Sequence, residues 1–140
     1  MPEQVWTIGY AGRAIDDFVR VLKRARVQLV VDVRELPLSR KKGFSKTALR
    51  GALESAGIDY RHVRAAGNPY RAHKGNIERG LALYAGHLDR TPNALDEVVE
   101  LVTSKRCALL CFEAEACECH RSVIAERLCR TRPRLVVTNL

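Results

Sequence analysis

The run CALLC at Cys107–Cys111 has no alternation of polar and apolar side chains. A strand with one face in water alternates, whereas a continuous apolar run has to be covered on both faces. Residues 28–33 contain a similar run, Leu29, Val30 and Val31, which is rich in β-formers. A polar loop follows CALLC, and then Val123, Ile124, Ala125 and Leu128 resume at helical spacing. Strands of this kind, interleaved with helices, imply a mostly parallel sheet with helices on both sides.

The rest of the chain repeats the unit. Residues 5–8 read as the first strand, followed by a helix with Ile15, Phe18, Val19 and Leu22 on one face. After the second strand and a loop over residues 35–45, Ser45 is a good N-cap for a helix carrying Leu49, Ala52, Leu53 and Ala56, with Gly57 at its end. Residues 58–63 form a third strand, with His62 packed or hydrogen-bonded at its end. Ile77, Leu81, Tyr84 and Leu88 mark one further helix. Thr91 and Pro92 open another, with Leu95, Val98, Val99 and Val102 on one face, and residues 134–138 are a last strand. The order is β-α-β-α-β-α-α-β-α-β. With 140 residues, 46% hydrophobic and no Pro/Gly/Ser-rich linker, residues 1–140 are expected to form one three-layer α/β domain. If successive strands lie side by side, right-handed crossovers suggest the order 3-2-1-4-5.

That order brings three strand ends together at the carboxyl edge of the sheet, where open α/β sheets bind ligands. The first strand ends in Gly9, Tyr10, Gly12 and Arg13, and two glycines between a strand and a helix permit a tight turn and close approach to a ligand. The second ends in Asp32 and Arg34 on one face, as a structural or an active-site ion pair. The fourth ends in Cys111, and the helix after it begins with Cys119, His120, Arg121 and Ser122. A cation in the first turn of a helix opposes the dipole. Arg13 and Arg121 therefore need negative partners: a bound anion beside the helix N–H groups, or a carboxylate. Asp16 and Asp17 serve for Arg13, and Glu113, Glu115 or Glu118 for Arg121. The second loop holds Ser39, Arg40, Lys41, Lys42, Phe44 and Ser45, a basic stretch able to hold phosphates, with one aromatic to stack on a base.

TIGYAGR at residues 7–13, DVRELPLSR with the following FS at residues 32–45, and LLCFE with CHRSVIAERL at residues 109–128 resemble domain-of-unknown-function family 488 of bacteria and archaea. The resemblance covers nearly the whole chain. It implies a compact cytoplasmic α/β domain and a shared site, with no established activity. By resemblance the family's characteristic positions fall on Gly9, Arg13, Asp32, Arg34, Pro37, Ser39, Phe44, Ser45, Cys111, Glu113, Cys119, His120 and Arg121. Two departures stand out: Ala14 replaces a capping Ser, which leaves the first helix less well capped, and Cys117 is an addition.

Several chemistries fit. The net charge of +8, from 24 Lys and Arg against 16 Asp and Glu, favours polyanionic partners. A phosphate-containing ligand, nucleotide or nucleic acid, uses all the arginines. An enzyme on such a ligand would draw its reactive groups from Cys119, His120, Asp32 and Glu113; a non-catalytic nucleic-acid-binding or regulatory module would use the basic loop alone. A thiol at a helix start beside His120 and Arg121 is a candidate nucleophile. Zinc is disfavoured by the C-x5-C-x-C-H spacing, because adjacent Cys119 and His120 do not easily share one tetrahedral ion. No metal ligand set, cofactor or oligomeric state is assigned. With five cysteines, no visible signal peptide and no apolar run long enough to span a membrane, reduced thiols in a cytoplasm are expected.

Overall fold

Five parallel strands form one sheet: β1 (Gln4–Gly9), β2 (Leu29–Asp32), β3 (Asp59–His62), β4 (Cys107–Cys111) and β5 (Val136–Asn139). The computed structural model describes residues 3–70, 77–112 and 119–140. The helices are α1 (Ile15–Arg24), α2 (Lys46–Ser55), α3 (Ile77–Arg90), α4 (Pro92–Ser104) and α5 (Arg121–Thr131), with a short 3-10 turn at Arg64–Ala66. None of the described helices is long and apolar enough to cross a membrane.

Alternation along the strands sorts the core into two layers. Trp6, Ile8, Val30, Ala108 and Leu110 face Phe18 and Leu22 of α1 and Leu49 and Leu53 of α2. Val5, Leu29, Val31, Cys107, Leu109 and Cys111 face Tyr84 and Leu88 of α3, Val98 and Val102 of α4, and Ile124 and Leu128 of α5. The three-layer α/β expectation holds.

The strand order is 3-2-4-1-5, not 3-2-1-4-5. Both place β1 beside β4; they differ in which of the two touches β2 and which touches β5. The expected order assumed that β2 follows directly beside β1. Instead α1 carries the chain across one strand position, and β4 fills it, paired with β1 on one side and β2 on the other. Polarity explains the choice. CALLC has no strongly polar side chain and is buried along its whole length. The sequences DYRH of β3 and VVTN of β5, partly or fully exposed throughout, take the edges. The end of β4 thus lies between the ends of β1 and β2, and the motifs meet more closely than the expected order allowed.

The segment after β3 is pressed against the end of β2. A Cβ on Gly67 would lie 2.3 Å from the Cα of Glu35 and 2.5 Å from its backbone N, so one backbone or the other would have to move. Gly51, within α2, has nothing within 4 Å of such a Cβ. Gly67→Ala is therefore expected to cost about 1–3 kcal/mol of stability or more. Gly51→Ala is expected to be neutral or stabilising by up to about 1 kcal/mol. Urea denaturation of the two variants checks both; equal midpoints would contradict the packing at Gly67.

Candidate functional site

At the end of β2, the Asp32 carboxylate is fully buried and meets four donors. Oδ1 accepts from the backbone N of Arg34 at 3.1 Å and from its Nε at 2.8 Å. Oδ2 accepts from Arg34 Nη2 at 2.7 Å and from the Tyr60 hydroxyl at 2.5 Å. Burial works against the Arg34 charge, but the hydrogen bonds and charge of Asp32 outweigh it and hold the guanidinium above its ordinary pKa. Burial first, and then the Asp32 charge, keeps Tyr60 a neutral phenol well above the usual range. A carboxylate has about four lone-pair sites. All four are taken by donors of the protein itself, so Asp32 and Arg34 form the buried ion pair that their shared face predicted.

Arg34 also donates Nη1 to the Phe44 carbonyl at 2.6 Å. The Phe44 ring is fully buried and stacks on Tyr10, with centroids 4.6 Å apart and planes at 12°. It is therefore not available to stack on a base. Phe112, just past β4, meets Tyr10 edge-on at 5.3 Å, and the Arg34 guanidinium lies 5.4 Å from the Tyr10 ring centre. Segments from three strand ends thus meet on one tyrosine. Backbone bonds from Tyr10 N to Cys111 O and from Ala11 N to Phe112 O continue the pairing that ends at Gly9 and Cys111. Gly12 then turns with φ +79, and Arg13 N returns to Tyr10 O. Ala14 stands at the α1 N-cap without a side-chain cap, as expected from its identity.

The basic loop is seated against this turn. Gly43, at φ +91, lies where a Cβ would be 2.8 Å from Ile15 Cβ. Ser45 does occupy the α2 N-cap but makes no cap bond; its Oγ donates to Ser39 O at 3.0 Å and accepts from Ser39 N at 2.9 Å, while Ser39 Oγ accepts from Lys41 N. Both serines shape the loop.

On the other face of β4 lies a sulfur centre. Cys111 and Cys119 are joined as a disulfide. Arg121 begins α5, but its side chain is fully buried, and Nη1 donates to Cys111 Sγ at 2.9 Å. One contact of this guanidinium is therefore a sulfur in the core, while the glutamates named as its possible partners lie outside the described residues. Arg121 N approaches Cys119 Sγ at 3.4 Å, and Ser122 Oγ donates to Cys119 O. His120 Nε2 lies 2.6 Å from Val33 O. A carbonyl only accepts, so Nε2 carries the proton of that bond, and Nδ1 lies 3.6 Å from Cys119 Sγ. Tyr84 packs edge-on against the same imidazole. Cys111 Sγ, Cys119 Sγ and a His120 ring nitrogen all lie within 4.8 Å of one another, so adjacency does not keep Cys119 and His120 from sharing an ion. Cys107, by contrast, is buried away from this centre, and burial pushes its thiol up to about 12. Glu113, Glu115, Cys117 and Glu118 lie outside the described residues.

Sequence reasoning found most of these positions but missed Tyr60, Tyr84 and the Val33 carbonyl. Tyr60 follows from register: β3 runs parallel to β2 and pairs Tyr60 with Val30, two residues before Asp32 on the same face. Removing one partner of the buried pair leaves an uncompensated charge. Arg34→Met should therefore cost about 3–5 kcal/mol, whereas loss of the exposed Arg50–Glu54 pair through Arg50→Ala should leave the denaturation midpoint essentially unchanged. Equal effects would show that Arg34 is not what holds the loop.

Comparison with curated proteins and with solved structures gave no match. A family model described as Domain of unknown function DUF488 matches residues 14–128, which takes in β2, β4, the basic loop and the Cys-His-Arg helix start, while the GYAGR turn lies just before it. The chain belongs to this family, DUF488.

Proposed function

We propose that the protein binds a phosphate-containing ligand, a nucleotide or a nucleic acid, at the carboxyl end of the sheet, and acts on it through the cysteine–histidine centre below. The observation that carries this reading is a set of five cations on two loops pinned to each other and on the helix start that follows the second. Arg13 follows β1; Arg40, Lys41, Lys42 and Lys46 follow β2; the Phe44–Tyr10 stack and the Gly43–Ile15 contact hold the loops together. None of the five forms a salt bridge among the described residues. At the opposite end of the sheet Lys105 is paired with Asp59 at 2.7 Å. Leu36 and Leu38, in the same basic loop, are 58% and 69% exposed and offer apolar surface to a base or sugar. Because Asp32 is saturated, the described groups left for chemistry are Cys119 and His120 with Cys111.

Fluorescence anisotropy with short oligonucleotides, and thermal shift with phosphate and nucleotides, test the reading. Replacing Arg40, Lys41 and Lys42 together by Ala is expected to weaken oligonucleotide binding by at least about tenfold and to lower the slope of log affinity against log salt by roughly one per lost phosphate contact. Lys105→Ala should change neither. Unchanged binding in the triple variant would remove the ligand hypothesis. Binding that survives Cys119→Ala while turnover is lost marks an enzyme; binding alone, with no turnover in either protein, marks the non-catalytic module.

A further inference from the structure

We infer that the reduced protein holds a zinc-type divalent ion on Cys111 Sγ, Cys119 Sγ and His120 Nδ1. The inference takes its place in the fold from the proposed function but depends on no ligand. The three side chains come from the end of β4 and the start of α5 and are all buried, and their donor atoms lie within 4.8 Å of one another. With Zn–S near 2.3 Å and Zn–N near 2.0–2.1 Å, a tetrahedral ion sets its S···N edge at roughly 3.6 Å. The Cys119 Sγ to His120 Nδ1 distance is 3.6 Å, and the two sulfurs, bonded to each other in the disulfide, would part on reduction to the roughly 3.8 Å edge of the same tetrahedron.

The surroundings match as well. Metal-binding imidazoles commonly donate their other N–H to a carbonyl, which fixes tautomer and ring orientation. His120 does so to Val33 O at 2.6 Å. Two N–H donors reach the sulfurs: Arg121 Nη1 to Cys111 at 2.9 Å and Arg121 N to Cys119 at 3.4 Å. Thiolates bound to a metal keep negative charge on sulfur and accept such bonds. The charges balance, because two thiolates neutralise a divalent ion and the guanidinium then faces sulfur lone pairs and not a net positive cluster. Two Cys and one His are a known ligand set for zinc with an open position. A water held there would be acidified toward neutral pH, which suits hydrolysis of a phosphate ester.

The disulfide and the ion exclude each other. A dithiol reductant gives two electrons and two protons to the Cys111–Cys119 bond and becomes a cyclic disulfide; the ion then binds as the two thiols release their protons. Dioxygen, taking two electrons from the two thiolates and two protons from water to become hydrogen peroxide, restores the disulfide and expels the ion.

The test uses the full chain, reduced with excess dithiol, freed of reductant under inert gas and titrated with cobalt(II) as a visible probe. The expected result is one equivalent bound, with sulfur-to-cobalt charge-transfer and tetrahedral ligand-field bands that zinc abolishes. The air-oxidised protein, which needs no substitution and so no new fold, should show none of these bands. Cys111→Ser, Cys119→Ser and His120→Ala should each weaken cobalt binding by at least about tenfold, with Cys129→Ser as the unaffected control. Absence of the bands from the reduced protein would overturn the inference, and so would bands that persist after oxidation or a cobalt affinity unchanged in His120→Ala. Because no nucleotide is present, failure here leaves the anion-binding reading standing. Conversely, the Arg40/Lys41/Lys42 variant should bind cobalt normally even if that reading fails.

Discussion

The buried pair between Asp32 and Arg34 sets the position of almost everything at the carboxyl end of the sheet. A lone charge at this depth would cost several kcal/mol. Here the carboxylate is matched by the guanidinium fork, by the Arg34 backbone N–H and by Tyr60 from the neighbouring strand. The fork is not exhausted by the pair. Its third nitrogen takes the Phe44 carbonyl, which fixes where the basic loop leaves the protein and which ring lies on Tyr10. With the end of β2 held, the carbonyls of Val33 and Arg34 are presented to His120 and His62, each 2.6 Å from a ring Nε2. One ion pair thus orients the imidazole of the sulfur centre from the other side of the sheet.

Much of this was legible in sequence because it follows from periods. Alternation put Asp32 and Arg34 on one face, and the helical spacing of Phe18, Leu22, Leu49 and Leu53 found the helix faces that pack on the sheet. The strand order was less legible, since crossover handedness is indifferent to whether a helix carries the chain over one strand position or to its neighbour. The information lay instead in the absence of strongly polar side chains in CALLC, which marks the central strand, against DYRH and VVTN, which mark edges. Ser45 shows the limit of cap rules: its place as N-cap was right, yet its hydroxyl is engaged by the backbone of Ser39, because the loop folds back across the helix start.

At the sulfur centre the sequence singled out residues that the fold does bring together, though not by the contacts it anticipated. Arg121 was singled out as a cation against a helix dipole, and it does need a counter-group, but one such group is a sulfur in the core. Metal binding was disfavoured on the adjacency of Cys119 and His120. That objection assumes two side chains diverging from an extended backbone. At the start of α5 His120 has φ −58 and ψ −19, so successive Cβ atoms are turned by the helical angle and both point inward. The cysteine arm ends one bond beyond Cβ and the imidazole nitrogen two, which lets the donors sit 3.6 Å apart without collision.

The proposed function would give the two levels of the site separate tasks. In a parallel sheet with connecting helices, α1, α2 and α5 begin at the carboxyl end of the strands, so their positive dipole ends gather there. None of these three N-termini has a side-chain cap, and neither α2 nor α5 has an acidic residue in its first turn. Onto this already positive end the chain adds Arg13, Arg40, Lys41, Lys42 and Lys46, which a purely structural role would place elsewhere. On the proposed reading this potential would draw an anion to the rim, with the sulfurs of Cys111 and Cys119 buried beneath it. Attraction at the rim depends on exposed cations and is screened by salt. The proposed chemistry at Cys111, Cys119 and His120 would depend on buried contacts that salt barely reaches. Ionic strength should accordingly separate the two, weakening association while leaving the centre itself unchanged.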